Sequence, residues 1–301
     1  MSITPTNSFR AWLLAARPKT LAAAAVPVMV GSGLAAADSY DKFRIVPCIL
    51  CFLFAFIMQI DANFINDYFD FKKGTDREDR LGPERACAQG WITPEAMKLG
   101  IAVTSLLACL AGLPLLFYGG YALIIVGVLC ILFAFLYTTW LSYQGWGDVL
   151  VVLFFGVVPV GFTYYLQTGN WTWSTTLTAV ACGLVTDTLL MVNNFRDRVQ
   201  DYISGKRTFV VRWGARAGAL AYLILGFAPS LSCIALVLKG YVWAAILPQF
   251  YLILHIQTWN RMVRIEHGKE LNVILGATSR NIFVFGTLLT VGLLLHLYQT
   301  I

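Results

Sequence analysis

Nine apolar runs of about twenty residues, at 21–37, 45–65, 97–118, 121–140, 149–167, 173–193, 217–238, 241–259 and 281–299, follow one another through this chain. Each is long enough to cross the roughly 30 Å of bilayer hydrocarbon as a helix, and a helix satisfies its backbone donors and acceptors within the segment, as lipid requires. The expected fold is therefore all-α, a polytopic membrane protein of nine transmembrane helices around a central cavity. With 58% of residues hydrophobic and 13% charged, the composition leaves no room for a water-soluble globule.

The basic residues give the orientation. Placing the N-terminus in the cytoplasm puts 19 of the 22 Lys and Arg on the inner side, in the N-terminal segment and in 72–98, 196–216 and 261–280. Only Lys42, Arg44 and Lys239 fall outside, which is the asymmetry that positive-inside topology predicts. The +6 net charge reads as this loop bias and as suited to an anionic substrate; no basic domain supports a nucleic-acid role. The first apolar run begins after Arg17-Pro18-Lys19 without a cleavage site, so it is expected to stay as an anchor. Phe9 to Ala16, with Trp12, reads as an interfacial helix. Cys48 and Cys51 form a CxxC by spacing, but on an apolar helix with no second pair they read as small packing residues.

Two polar clusters stand where apolar runs give way to basic loops: Asn66-Asp67-Tyr68-Phe69-Asp70 with Asp76, and Asn194-Phe195-Arg196-Asp197 with Asp201. At 100° per residue, Asn63, Asn66, Asp67 and Asp70 fall within about 100° of one another, as do Asn194, Asp197 and Asp201, so each cluster is one stripe on a helix. Carboxylate stripes without interleaved lysine suit hard cations; Mg²⁺ takes one or two carboxylates and completes its shell with water and phosphate oxygens. The second and sixth helices carry these clusters, and both lead into glycine-containing basic loops (Lys72-Lys73-Gly74 and Gly205-Lys206-Arg207). That spacing predicts one domain over 1–301 built from a parallel pseudo-repeat, with halves of roughly 1–145 and 146–301 and the clusters facing one another across the cavity. A transporter would share the repeat but would place its acidic residues near the bilayer midplane, and these lie at helix ends.

The stretch from Asn66 to Met97, NDYFDFKKGTDREDRLGPERACAQGWITPEAM, resembles the first aspartate-rich motif of the UbiA superfamily of membrane prenyltransferases. Supporting matches are RPKT at 17–20, YT at 137–138, GWGDVLVVLFFG at 145–156 and NNFRDRVQDYISGKRTFVVRWG at 193–214. The resemblance implies nine helices in a bacterial inner membrane, Mg²⁺, a polyprenyl diphosphate donor and an aromatic acceptor. Within the family, the extension through Arg80, Leu81, Gly82, Pro83 and Arg85 is similar to that of enzymes acting on 1,4-dihydroxy-2-naphthoate. Those acting on 4-hydroxybenzoate carry a lysine shortly after the tyrosine of the fourth helix, whereas Tyr137 here leads into Thr138-Thr139-Trp140. Another aromatic acceptor is the alternative.

Carried onto this chain, the pattern implies metal ligation by Asp67, Asp70, Asp76, Asp197 and Asp201, and donor binding by Asn66, Asn194, Arg17, Lys73, Arg85, Lys206 and Arg207. Tyr137 would shield the allylic carbocation, and Asp148 would orient or deprotonate the acceptor. Asp187, inside the sixth apolar run, is expected either to be protonated and hydrogen-bonded between helices or to form part of the cavity wall, since a bare carboxylate there costs at least ~2.5–3.5 kcal/mol. Asp61 reads as a structural contact, and His255, His267 and His296 as packing or surface residues.

Overall fold

The computed structural model describes residues 4–75 and 80–300, and all secondary structure among them is helical. A short helix α1 (Phe9–Ala16) is capped by Ser8, whose Oγ accepts from the Ala11 amide, and ends at Arg17 in the left-handed region. Its Phe9, Leu13 and Leu14 face outward while Ala11 and Ala15 are buried, as an interfacial helix requires. The Trp12 indole packs edge-on against Phe64 over Gly100, where a Cβ would lie 2.6 Å from the ring.

Among the described residues, eight helices meet the length and hydropathy of a membrane span: α2 (Leu21–Asp38), α3 (Ile45–Lys73), α4 (Pro94–Gly119), α5 (Leu123–Gln144), α6 (Gly147–Thr168), α7 (Trp173–Ile203), α8 (Phe209–Lys239) and α10 (Leu271–Leu297). The ninth expected crossing, 241–259, is also helical, but Pro248 divides it into Val242–Ile246, a tight turn over Leu247–Phe250, and α9 (Tyr251–Ile265).

Length explains where the acidic clusters sit. At 1.5 Å per residue, the 29 residues of α3 span about 43 Å and the 31 of α7 about 46 Å, against roughly 30 Å of hydrocarbon. Both helices therefore continue past the apolar runs at 45–65 and 173–193, and their excess turns carry the clusters. Gly74, in the left-handed region, terminates α3 and donates to the Asp70 and Phe71 carbonyls.

The main core lies between α2, α6, α7 and α10, with Val26, Val30, Leu34, Val160, Val185 and Phe285 buried together. Small residues let these helices close, as is usual in lipid, where packing and not water exclusion drives association. A Cβ on Gly156 of α6 would sit 2.3 Å from the Ala179 carbonyl oxygen, and one on Gly183 of α7 would sit 2.7 Å from Val152. Gly286 receives Val26 in the same way and closes α10 onto α2. All seven cysteines are free thiols.

Candidate active site

The loop after α3 is built onto the first cluster. Asp67 accepts hydrogen bonds from the Ala86 amide on Oδ2 and the Cys87 amide on Oδ1, both at 2.9 Å. Asp67, expected as a metal ligand, thus uses both oxygens to fix the loop. One turn on, Asp70 Oδ2 accepts from Arg85 Nη2 at 3.2 Å, and the same nitrogen donates to Asn66 Oδ1 at 3.2 Å. Arg85 and Asp70 are both buried, so the pair is shielded from bulk water. Arg17 Nη1 reaches Asn63 Oδ1 at 3.5 Å, and Asn63 holds the 16–20 turn through the Ala16 carbonyl and Thr20. Asp76 lies outside the described residues.

In the second cluster, Arg196 Nε and Nη2 donate to the two oxygens of Asp197 at 2.7 and 2.6 Å. Its Nη1 donates to Asn272 of α10 at 2.9 Å, and Asn272 donates in turn to the Leu81 carbonyl at 2.8 Å. Gly82 lies so near Arg196 that a Cβ would meet Nη2 at 2.7 Å. The Leu81-Gly82 segment thus docks on α7 and α10 while Arg85 docks on α3, and one loop spans both clusters. Asn194 is buried but does not line the cavity; its neighbour Asn193 does, a residue the sequence reading passed over.

Lys206 lies between the two clusters. Its Nζ is 3.5 Å from Asp201 Oδ1, and it lies within electrostatic reach of Asp70 and Asp197 as well. Burial alone would depress its ammonium, but Asp201, Asp70, Tyr143 and Asp197 together carry it above the ordinary lysine value. Tyr143, near the end of α5, was not anticipated from the sequence. Lys73 Nζ lies 3.9 Å from its ring centroid and Lys206 Nζ 5.3 Å. Lys73 also donates to the Thr138 and Thr139 carbonyls, at 3.3 and 2.7 Å. The Arg207 side chain is exposed, and its loop is held by the Arg207 amide donating to the Tyr143 carbonyl at 2.9 Å.

Below this polar end runs an apolar cavity of about 530 Å³. Arg17, Thr20, Asn63, Asn66, Tyr137 and Asn193 line its mouth; Phe154, Phe155 and Phe162 are among its deeper walls, and Leu116, Leu123 and Leu166 line its far end. Tyr137 opens a π-helical turn, Tyr137–Leu141, and a second such turn, Leu153–Val157, carries Phe154 and Phe155; inserted turns of this kind recur at functional sites. Tyr137 is within electrostatic reach of Asp148, Asp187, Asp70 and Asp201. Asp148 and Asp187 each present a buried Oδ1 with no hydrogen-bond partner among the described residues. Asp187 is thus buried with an Oδ1 that lacks the interhelical hydrogen bond that was one of its two expected fates. Asp61 accepts from Thr104 and Ser105 as a structural contact, and His255 is stacked between Tyr222 and Tyr251.

Among the described residues no three carboxylate, histidine or cysteine side chains converge as a wholly protein-built metal site needs. The oxygens of Asn66, Asp70, Asn194, Asp197 and Asp201 are hard donors without a thiolate among them, and such a set fits Mg²⁺ that shares its shell with phosphate.

An oily tunnel whose mouth carries Arg17, Asn63, Asn66 and Asn193, next to two clusters of carboxylates and basic side chains, defines a membrane enzyme for amphiphiles with a charged head. The sequence pattern of the UbiA prenyltransferase family matches residues 24–272, and the chain belongs to that family. It is 38% identical over 236 residues to a 1,4-dihydroxy-2-naphthoate octaprenyltransferase of Escherichia coli (strain K12), covering 75% of this chain and 76% of that one. In fold it is similar to a UbiA homologue from Aeropyrum pernix K1, with a TM-score of 0.70 at 14% identity, covering 93% and 98% of the two chains. It is likewise similar to a UbiA homologue from Archaeoglobus fulgidus bound to GPP and Mg²⁺, with a TM-score of 0.59 at 14% identity over 93% and 99%.

Proposed function

We propose that the protein transfers a polyprenyl group from polyprenyl diphosphate to 1,4-dihydroxy-2-naphthoate, releasing diphosphate and CO₂ and giving demethylmenaquinol for menaquinone biosynthesis. One observation carries the reading: an apolar cavity of about 530 Å³ opens beside the two acidic clusters, at Asn66 of α3 and Asn193 of α7, and runs on to Leu116, Leu123 and Leu166. Its length suits a prenyl chain and its mouth suits a diphosphate.

Asp70, Asp197 and Asp201, with Asn66 and Asn194, would hold Mg²⁺, which when bound neutralises the diphosphate and makes it a better leaving group. Arg17, Lys73, Arg85 and Lys206 donate to diphosphate oxygens. Arg85 and Lys206 are already oriented by Asp70 and Asp201. When the donor C–O bond breaks, its electron pair leaves with the diphosphate and an allylic cation remains. The π face of Tyr137 and the carboxylates around it stabilise that cation, while the apolar wall excludes the water that would quench it. A ring carbon of the naphthoate forms the new C–C bond, and the carboxylate departs as CO₂. Asp148, with its free buried oxygen, orients the acceptor hydroxyl or takes its proton. The protein works in the membrane with these clusters and its N-terminus on the cytoplasmic side.

The test is purified protein offered 1,4-dihydroxy-2-naphthoate, 4-hydroxybenzoate and homogentisate in competition, with a long-chain prenyl diphosphate. Prenylation of the naphthoate alone is expected; preferential turnover of either benzenoid acid would contradict the acceptor assignment.

A further inference from the structure

Gly127 lies in the middle of α5, and none of the usual structural reasons for a glycine applies to it. Its φ is not positive, and a Cβ built on it meets no atom within 4 Å. It therefore admits no neighbouring helix, in contrast to Gly156 and Gly183. A glycine inside a helix nevertheless costs roughly 0.5–1 kcal/mol relative to alanine. What the missing side chain leaves is space in the tunnel. The cavity-lining residues Leu123, Gly127, Cys130, Ala134 and Tyr137 fall within about 80° of one another on the helix, so the side chain that Gly127 lacks would enter the cavity from the same side of the helix as Tyr137. Between the large residues at the two ends of this strip, three small ones widen the bore, and Gly127 is the smallest.

We infer that Gly127 is a specificity-determining residue for donor chain length, passing the chain beyond its third isoprene unit into the far part of the tunnel. Gly127 precedes Tyr137 by ten residues, a rise of about 15 Å. An extended carbon chain advances about 1.2 Å per bond on the dimensions of an extended backbone, so a four-bond isoprene unit covers roughly 5 Å. With the reacting carbon against Tyr137, three units reach Gly127 and the fourth must pass it. The inference rests on the prenyl-transfer reading given above.

The experiment compares Gly127→Ala, Gly127→Leu and Gly127→Trp with the unaltered protein, using geranyl diphosphate (two units), geranylgeranyl diphosphate (four units) and an octaprenyl donor. The Leu and Trp variants should keep kcat/KM for geranyl diphosphate within about threefold, and this retained turnover also reports that they fold. Both should lose at least about tenfold with the two longer donors, as overfilling a close-fitting apolar site does. Gly127→Ala should stay near the unaltered protein. A ratio of long-donor to short-donor kcat/KM that is the same in all four proteins, whether activity is kept or uniformly lost, overturns the inference. Absence of prenyl transfer from every donor by the unaltered protein would instead overturn the proposed function.

Discussion

Asp67 and Asp70 are one turn apart on the same helix yet have different work. Asp67 fixes the backbone of the loop after α3, while Asp70 faces Arg85 and the cations around the mouth. Asp70→Ala and Asp197→Ala should each lower turnover at least ~100-fold, because they weaken the electrostatic hold on the leaving group. Asp67→Asn, which keeps one acceptor oxygen, should leave the Mg²⁺ concentration for half-maximal activity unchanged and lower the thermal midpoint, since a hydrogen bond to a charged group is worth about 1.5–3 kcal/mol. A Mg²⁺ titration of the two Asn variants separates these roles: Asp70→Asn should shift the requirement upward and Asp67→Asn should not. Tyr143 offers its ring to both lysines. Tyr143→Leu should raise KM for the donor about three- to tenfold, the worth of a cation–π contact or two, and Tyr143→Phe should stay close to the unaltered protein. Lys206 has a raised pKa, so its stabilising charge is fully present below the unfolded lysine value near 10.4 and is lost only as pH rises through the higher folded value. An activity profile between about pH 6 and 9 should show no inflection from it.

At the scale of the helices, the apolar runs marked every crossing but not where the helices end. The run at 45–65 continues as helix to Lys73 and the run at 173–193 to Ile203, because hydropathy stops at the lipid boundary whereas i to i−4 hydrogen bonding does not. The stripes on those extensions were readable from spacing alone. Two things were not. Arg85 and the partners of Asp67 lie in a loop that also docks on Asn272, nearly two hundred residues away. The π turn at Tyr137–Leu141 follows from packing, and a 3.6-residue pattern contains no sign of it. The crossing of α6 on α7 belongs to the same class: a single glycine has many uses, and only the structure pairs Gly156 with Gly183. Gly183→Ala should force these helices apart and cost about 1–3 kcal/mol, read as a fall in thermal midpoint in detergent. Gly127→Ala, set against open space, should not lower it.

For the molecule as a whole, the proposed reaction requires the loops after α3 and α7 to serve one ligand. Lys206 reaches the carboxylates of both clusters, and Tyr143 carries lysines from both loops. The most direct measurement places single cysteines at Thr75 and Ser204, just beyond α3 and α7, in a protein stripped of its seven native cysteines. Both should react with a membrane-impermeant thiol reagent from the cytoplasmic face only, and polyprenyl diphosphate with Mg²⁺ should protect both over the same concentration range. Protection of one position without the other, or labelling from the outer face, would contradict a shared diphosphate site.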